Sequence, residues 1–147
     1  MVTNQLQGNA IAVGKKLGRF IREVRQHKHP LEKPVCLIAG GETTVVVKGN
    51  GLGGRNQEVA LACAIEIENL ENVCMVTLAT DGEDGPTDAA GAIISGETIT
   101  KARSIGLSPE ESLATNDSYH FFEKIGCLIK TGSTGTNVND LNFLFIL

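Results

Sequence analysis

Four short polar segments hold most of the chemistry this sequence could perform. They are Gly40-Gly41-Glu42-Thr43-Thr44, Gly53-Gly54-Arg55-Asn56-Gln57-Glu58, Thr80-Asp81-Gly82-Glu83-Asp84-Gly85-Pro86-Thr87-Asp88 and Thr131-Gly132-Ser133-Thr134-Gly135-Thr136-Asn137, and each begins where an apolar run ends. In an open α/β sheet, ligands bind beyond the carboxyl ends of strands, where glycine lets backbone amides come close and Asp, Asn and Arg supply charge and hydrogen bonds. The four segments are therefore expected to form one site, suited to an anionic or polyhydroxylated small molecule.

Within them the residues differ in what they offer. Arg55, at the expected start of a helix, can hold a phosphate or carboxylate beside free amides, or form a salt bridge to Glu58 or another carboxylate. Asp81 stands directly after a strand and, with Asp84 and Asp88, could meet Mg²⁺ or substrate hydroxyls; Asx turns and helix caps explain any one of these acids equally well. The Thr131 to Thr136 turn alternates glycine with small hydroxyls and could cradle an anion. Gly49-Asn50-Gly51-Leu52-Gly53-Gly54 satisfies the GxGxxG spacing of dinucleotide sites, which opens a nicotinamide-dependent reductase as an alternative to a plain glycine turn. No glycine-lysine-Ser/Thr triplet of a phosphate-binding loop is present.

These segments need a scaffold. Val13, Leu17, Phe20, Ile21 and Val24 recur at helical spacing and predict an amphipathic helix from about Asn9 to Gln26. Val35 to Ala39 and Thr44 to Lys48 predict two strands joined by the Gly-Gly-Glu turn. Asn56 to Asn69 predicts an internal helix, and Val73 to Ala79 a strand covered on both faces, as in parallel sheets. Ala92 to Ile94, Cys127 to Lys130 and Asn142 to Ile146 read as further strands. Helices are expected over Gly96 to Ile105, from Pro109 with Ser108 as cap and Glu111 completing a capping box, and over Ser118 to Ile125 with Gly126 as stop. The sum is an α/β fold, three-layer α/β/α with a mostly parallel or mixed sheet, in one domain spanning residues 1–147.

Composition narrows the function classes. With 147 residues and 41% hydrophobic content the chain can bury a real core. A net charge of −4 with scattered basic residues argues against nucleic-acid binding, leaving Arg22 to Lys28 as a solvated helix end. No apolar run approaches the ~20 residues of a membrane span, and the cytoplasm is the expected compartment. Cys36, Cys63, Cys74 and Cys127 lack metal spacing and are expected as buried, reduced thiols, while His27 and His29 most simply serve a helix C-terminus.

Taken together, the four segments, with Thr-Gly-Thr-Asn-Val-Asn-Asp at 134 to 140, resemble the C-terminal domain of the class II glycerate kinases, the MOFRL family. The similarity runs over nearly the whole chain from about Asn9. It implies transfer of the γ-phosphoryl group of ATP to glycerate with Mg²⁺, in a cleft completed by an N-terminal nucleotide-binding domain in the same or a separate chain. It further implies catalytic roles for Glu42, Arg55, Asp81 and Asn137, and substrate or phosphate contacts from Gly41, Thr43, Gly54, Asn56, Thr134, Gly135 and Thr136, with Asp81 and Asp84 as metal ligands. A hydroxypyruvate reductase, and a non-catalytic ligand-binding or assembly domain that pairs as a homodimer, are the other expectations.

Overall fold

The computed structural model describes residues 3–26 and 31–147. His27 and His29 lie outside the described residues. The elements follow in the order β1 (Thr3–Asn9), α1 (Ala10–Arg25), β2 (Val35–Thr44), α2 (Arg55–Glu66), β3 (Val73–Ala79), β4 (Gly91–Ser95), α3 (Thr98–Ser104), α4 (Pro109–Ala114), α5 (Ser118–Ile125), β5 (Leu128–Ile129) and β6 (Asp140–Ile146). The strands form one mixed six-stranded sheet in the order β1-β2-β6-β3-β4-β5.

The α/β class with a mixed sheet is the expected one, but the parallel environment foreseen for β3 is not found. β3 runs antiparallel to both β4 and β6, and only β1 and β2 pair in parallel. The apolar run misled because both faces of the strand are apolar without both being deeply buried. Val73 and Met75 enter the core, whereas Cys74, Val76 and Leu78 are half-buried on the other face. Register aligns Val76 with Phe143 and Ile93 there, and Phe143 with Ile38.

The core lies on the opposite side, where Leu37, Met75, Ile94, Leu144 and Ile146 meet α1 and α2. Helices α3, α4 and α5 pack in turn on α2, which explains why nine of its residues are buried despite its polar start. Start and stop signals mostly worked as read, although at Ser108 only the serine half of the expected capping box forms, with no hydrogen bond from the Ser108 amide to the Glu111 carboxylate. Asn9 caps α1 through Ala12 N, Ser108 caps α4 through Glu111 N, and Gly126 closes α5 at φ 69°. Arg22 in the basic stretch donates from Nε and Nη2 to the carbonyl of Glu66 at 3.2 and 2.6 Å, so it seals the C-terminus of α2 and is not merely solvated.

Two further expectations are corrected. The Gly-Gly-Glu segment is no turn: β2 runs through it unbroken, and residues 45–48 are not strand. Gly41, at φ 152°, is required because the backbone of Leu6 in the neighbouring β1 occupies the space a Cβ would take. The four cysteines are free thiols, but only Cys63 is buried: Cys74 and Cys127 are half-buried and Cys36 is exposed.

Candidate functional site

The sheet topology brings the ends of three strands together. Asp140, the first residue of β6, is in register with Gly41 of β2 on one side and Ala79 of β3 on the other. Arg55 opens α2 above them. Its guanidinium donates from Nε to Asp140 Oδ2 at 2.6 Å and from Nη2 to Asp140 Oδ1 at 3.1 Å, while Nη1 lies 3.1 Å from Glu42 Oε1. The Asp140 side chain is only 5% exposed, that of Arg55 27% and that of Glu42 54%. The hydrogen bond to Asp140 and the attraction of the surrounding carboxylates raise the Arg55 pKa, so the guanidinium is charged throughout the accessible pH range.

The N-terminus of α2 is already capped from within the protein. Asp84 accepts from the backbone amides of Asn56 at 3.0 Å and Gln57 at 2.8 Å, and from Asn56 Nδ2 at 3.3 Å. Gly54 is obligatory beside it, since a Cβ there would collide with the Asp84 backbone and carboxyl group. Burial pushes the Asp84 pKa up to about 6 against the pull of these three hydrogen bonds. Thr87 Oγ1 completes the knot by donating to the Asp84 carbonyl at 2.8 Å and accepting from Gln57 Nε2 at 2.9 Å.

Three sequence expectations change as a result. Asp84 is a helix cap with both oxygens facing amides, not a metal ligand. Asn56 is a buried partner of Asp84, not a substrate contact. The helix-terminal amides of Asn56 and Gln57 are not free for a phosphate, and the Arg55 guanidinium is the charged group left at this terminus.

A pocket of about 580 Å³ opens beside Arg55, lined by Glu42, Thr43, Gly54, Arg55, Glu58 and Asn116 among others. Of the expected site residues it thus unites Glu42, Thr43, Gly54 and Arg55, while Gly41 serves the strand pairing. Its outer wall hangs on Asn116, held in the left-handed conformation at φ 57°. Asn116 Oδ1 accepts from the amides of Lys48 (2.7 Å) and Gly49 (2.9 Å), and its Nδ2 donates to Val46 O (3.2 Å) and Glu58 Oε1 (2.6 Å), so every hydrogen-bonding position of the amide is used. Glu58 is buried, and desolvation raises its pKa.

The same corner accounts for the GxGxxG spacing. A Cβ on Gly49 would strike the backbone of Thr115, and one on Gly51 the Asp117 side chain and backbone. Strand β2 ends at Thr44, well before Gly49. The strand therefore does not run into the glycines as it does at a dinucleotide site, and these glycines permit close packing against the α4 to α5 corner.

Asp81 and Asn137 form a separate cluster. Asn137 Nδ2 donates to Asp81 Oδ2 at 2.9 Å, and Asp81 Oδ1 accepts from Glu83 N at 3.2 Å. Thr134 donates from its amide to Asp81 O at 3.0 Å and from its hydroxyl to Thr80 O at 2.5 Å. Thr136 N bonds back to Thr134 Oγ1, and Gly135 turns the loop at φ 71°. None of these residues lines the pocket. Asp88 belongs to neither group: it accepts from Tyr119 OH at 2.7 Å and Lys130 Nζ at 3.0 Å, which lowers its pKa and ties its loop to α5 and to Lys130 after β5.

Asp140 and Asn116 complete the site without having been singled out, and Glu58, expected as a partner for Arg55, bonds Asn116 instead. Asp140 carried a usable signal, because an acid opening a buried strand needs a cationic partner. Asn116 carried none.

This is a mixed α/β domain with a charged pocket at one sheet end. Residues 35–140 match the MOFRL family, and the chain belongs to that family. It is 49% identical over 141 residues to the D-glycerate 2-kinase of Thermotoga maritima, covering 96% of this chain and 34% of that protein. To the glycerate 2-kinase of Pyrococcus horikoshii it is 44% identical over 142 residues, covering 96% and 32% respectively. The crystal structure of a Thermotoga maritima glycerate kinase superposes with a TM-score of 0.97 at 48% identity, over 99% of this chain and 35% of that one. The chain therefore spans about a third of the length of these curated relatives. Among the described residues no helix is long and apolar enough to cross a membrane.

Proposed function

We propose that this chain is the C-terminal domain of a glycerate kinase and supplies the glycerate side of its active site. The reaction forms a bond between a glycerate hydroxyl oxygen and the γ-phosphorus of ATP, breaks the bond from that phosphorus to the β-γ bridging oxygen, releases ADP and sheds the hydroxyl proton. The observation that carries the reading is the Arg55 guanidinium, fixed by the buried Asp140 at the edge of a pocket. Such a preoriented cation can hold the glycerate carboxylate or offset charge on the transferring phosphoryl group. Relatives named as glycerate kinases support the same assignment.

The remaining roles follow from position. Glu42 has one oxygen not engaged by Arg55 and can orient a substrate hydroxyl; Thr43 and Gly54 shape the pocket. Asp81, Asn137 and the Thr134 to Thr136 turn would reach the substrate from the adjoining cluster. The nucleotide is assigned to an N-terminal domain, in the same or a separate chain. Among the described residues no group of three or more His, Cys, Asp or Glu side chains is placed to hold a metal ion, and Asp84 is committed to the helix cap. The described residues do not make a Mg²⁺ site by themselves.

ADP release from MgATP and D-glycerate tests the reading, with this chain alone and with a family N-terminal domain added. Activity in either sample supports it. ADP formation in neither, with both domains folded, contradicts it.

A further inference from the structure

The guanidinium of Arg55 makes two ion pairs of unequal standing. The pair with Asp140 is two-pronged and its carboxylate is buried, so the same side chain is held whether or not a ligand is present. The pair with Glu42 uses a single oxygen at 3.1 Å, from a side chain that is more than half exposed at the end of β2. Exposed single-contact ion pairs contribute little because water and salt screen them and the side chain loses rotamer freedom. A guanidinium has five N–H donors, and Asp140 and Glu42 together occupy three. The Glu42 carboxylate therefore stands at the solvent side of Arg55 in the position of an incoming anion, and it is the weaker of the two holds.

We propose that Glu42 is a built-in competitor for Arg55: its carboxylate occupies Nη1 in the empty pocket and is displaced by the carboxylate or phosphate oxygen of an arriving ligand, freeing Glu42 to accept a ligand hydroxyl. This rests on the reading of the pocket as an anion site, but it adds an exchange that the reading does not require. The exchange makes Arg55 discriminate. A bare anion must overcome Glu42 unaided, whereas a hydroxy acid offers the displaced carboxylate a new hydrogen bond, so the pocket favours ligands carrying both groups. The neighbouring acids are consistent with such a filter. Glu58 lines the same pocket and Asp84 sits buried at the helix terminus, so the one cation is surrounded by negative charge that a weakly bound anion does not outweigh.

The test is an inorganic phosphate titration of the whole chain, followed on the Arg55 Nε–H resonance by NMR, for the wild type, Glu42→Gln and Glu42→Asp. Gln removes the charge; Asp keeps it but is one methylene too short to hold the contact. Displacement by contact predicts that both variants bind phosphate at least threefold more tightly than the wild type, while Glu42→Asp, too short to meet the ligand hydroxyl, loses preference for D-glycerate over propionate. An unchanged or weaker phosphate affinity in Glu42→Gln overturns the proposal, as does absence of binding in all three proteins. Tightening in Glu42→Gln with none in Glu42→Asp also overturns it, since charge alone would then explain the effect. None of these readouts uses ATP, so a chain that shows the exchange yet never forms ADP would retain the competitor and lose the kinase assignment.

Discussion

Arg55 and Asp81 both stand where an apolar run gives way to a polar segment, yet their surroundings differ in kind. Around Arg55 the supporting groups are buried: Asp140 beneath the guanidinium, Asp84 on the helix terminus, Glu58 and Asn116 behind the pocket wall. Around Asp81 they are exposed, and the Thr131 to Asn137 turn is held mainly by hydrogen bonds to its own residues and to Thr80 and Asp81. The first arrangement fixes a charge to a rigid frame. The second fixes a loop conformation that can adjust when a ligand or a second domain meets it. Placement at a strand end identifies both; only burial of the partners separates a preorganised group from an adaptable one.

Substitutions in the two regions should separate them by size of effect. Asp84→Ala is expected to be the most damaging to stability, by about 3 kcal/mol, because it removes a helix cap and leaves the buried amides of Asn56 and Gln57 without acceptors. Urea unfolding at pH 7 reads this directly. Asp84 also sets a pH signature. Its folded pKa of about 6 lies above the usual aspartate value, so the proton-linked part of its contribution is fully present below about pH 4 and is lost as pH rises through about 6, while the hydrogen bonds to Asn56 and Gln57 remain the part that Asp84→Ala removes at pH 7. Asp84→Asn should flatten that part of the stability profile, and a variant with the wild-type slope between pH 4 and 6 would show the group is not the source.

Asp140→Asn should cost less, about 2 kcal/mol, because Arg55 keeps partial solvent access when its buried partner is weakened. Asn116→Ala is expected to cost about 1 to 2 kcal/mol and to speed amide exchange at Lys48 and Gly49 while leaving Met75 and Leu144 protected. The smallest effect belongs to the exposed cluster. Asn137→Ala should alter unfolding by less than about 0.5 kcal/mol and act only on turnover; a stability loss as large as that of Asp84→Ala would erase the contrast between the regions.

Much of this molecule was legible from residue types alone. The helices announced their ends through Asn9, Ser108 and Gly126, whose capping chemistry is local and so survives translation from sequence to structure. The mistakes came where a local signal had a distant cause. Gly40 and Gly41 look like a turn, but Gly41 is small because β1 lies against it, and β1 itself has little apolar pattern to betray it. The apolar run of β3 cannot reveal strand direction. Of the site, Arg55, Glu42, Thr43 and Gly54 were found because glycine and arginine together mark a ligand-facing helix start. For Asp84 the sequence left a metal ligand and a helix cap both open, because an acid five residues past a strand gives no sign that the helix it caps is encoded almost thirty residues earlier.

Arg55→Lys tests the proposed anion contact most directly, because lysine keeps the charge opposite Asp140 while losing the planar fork. The measurement is steady-state ADP formation from MgATP and D-glycerate by the chain with a family N-terminal domain, alongside urea unfolding of both proteins. The expected result is a fall in kcat/KM of roughly a hundredfold or more with an unfolding midpoint close to the wild type. Turnover within a few-fold of the wild type would contradict the central role given to this guanidinium.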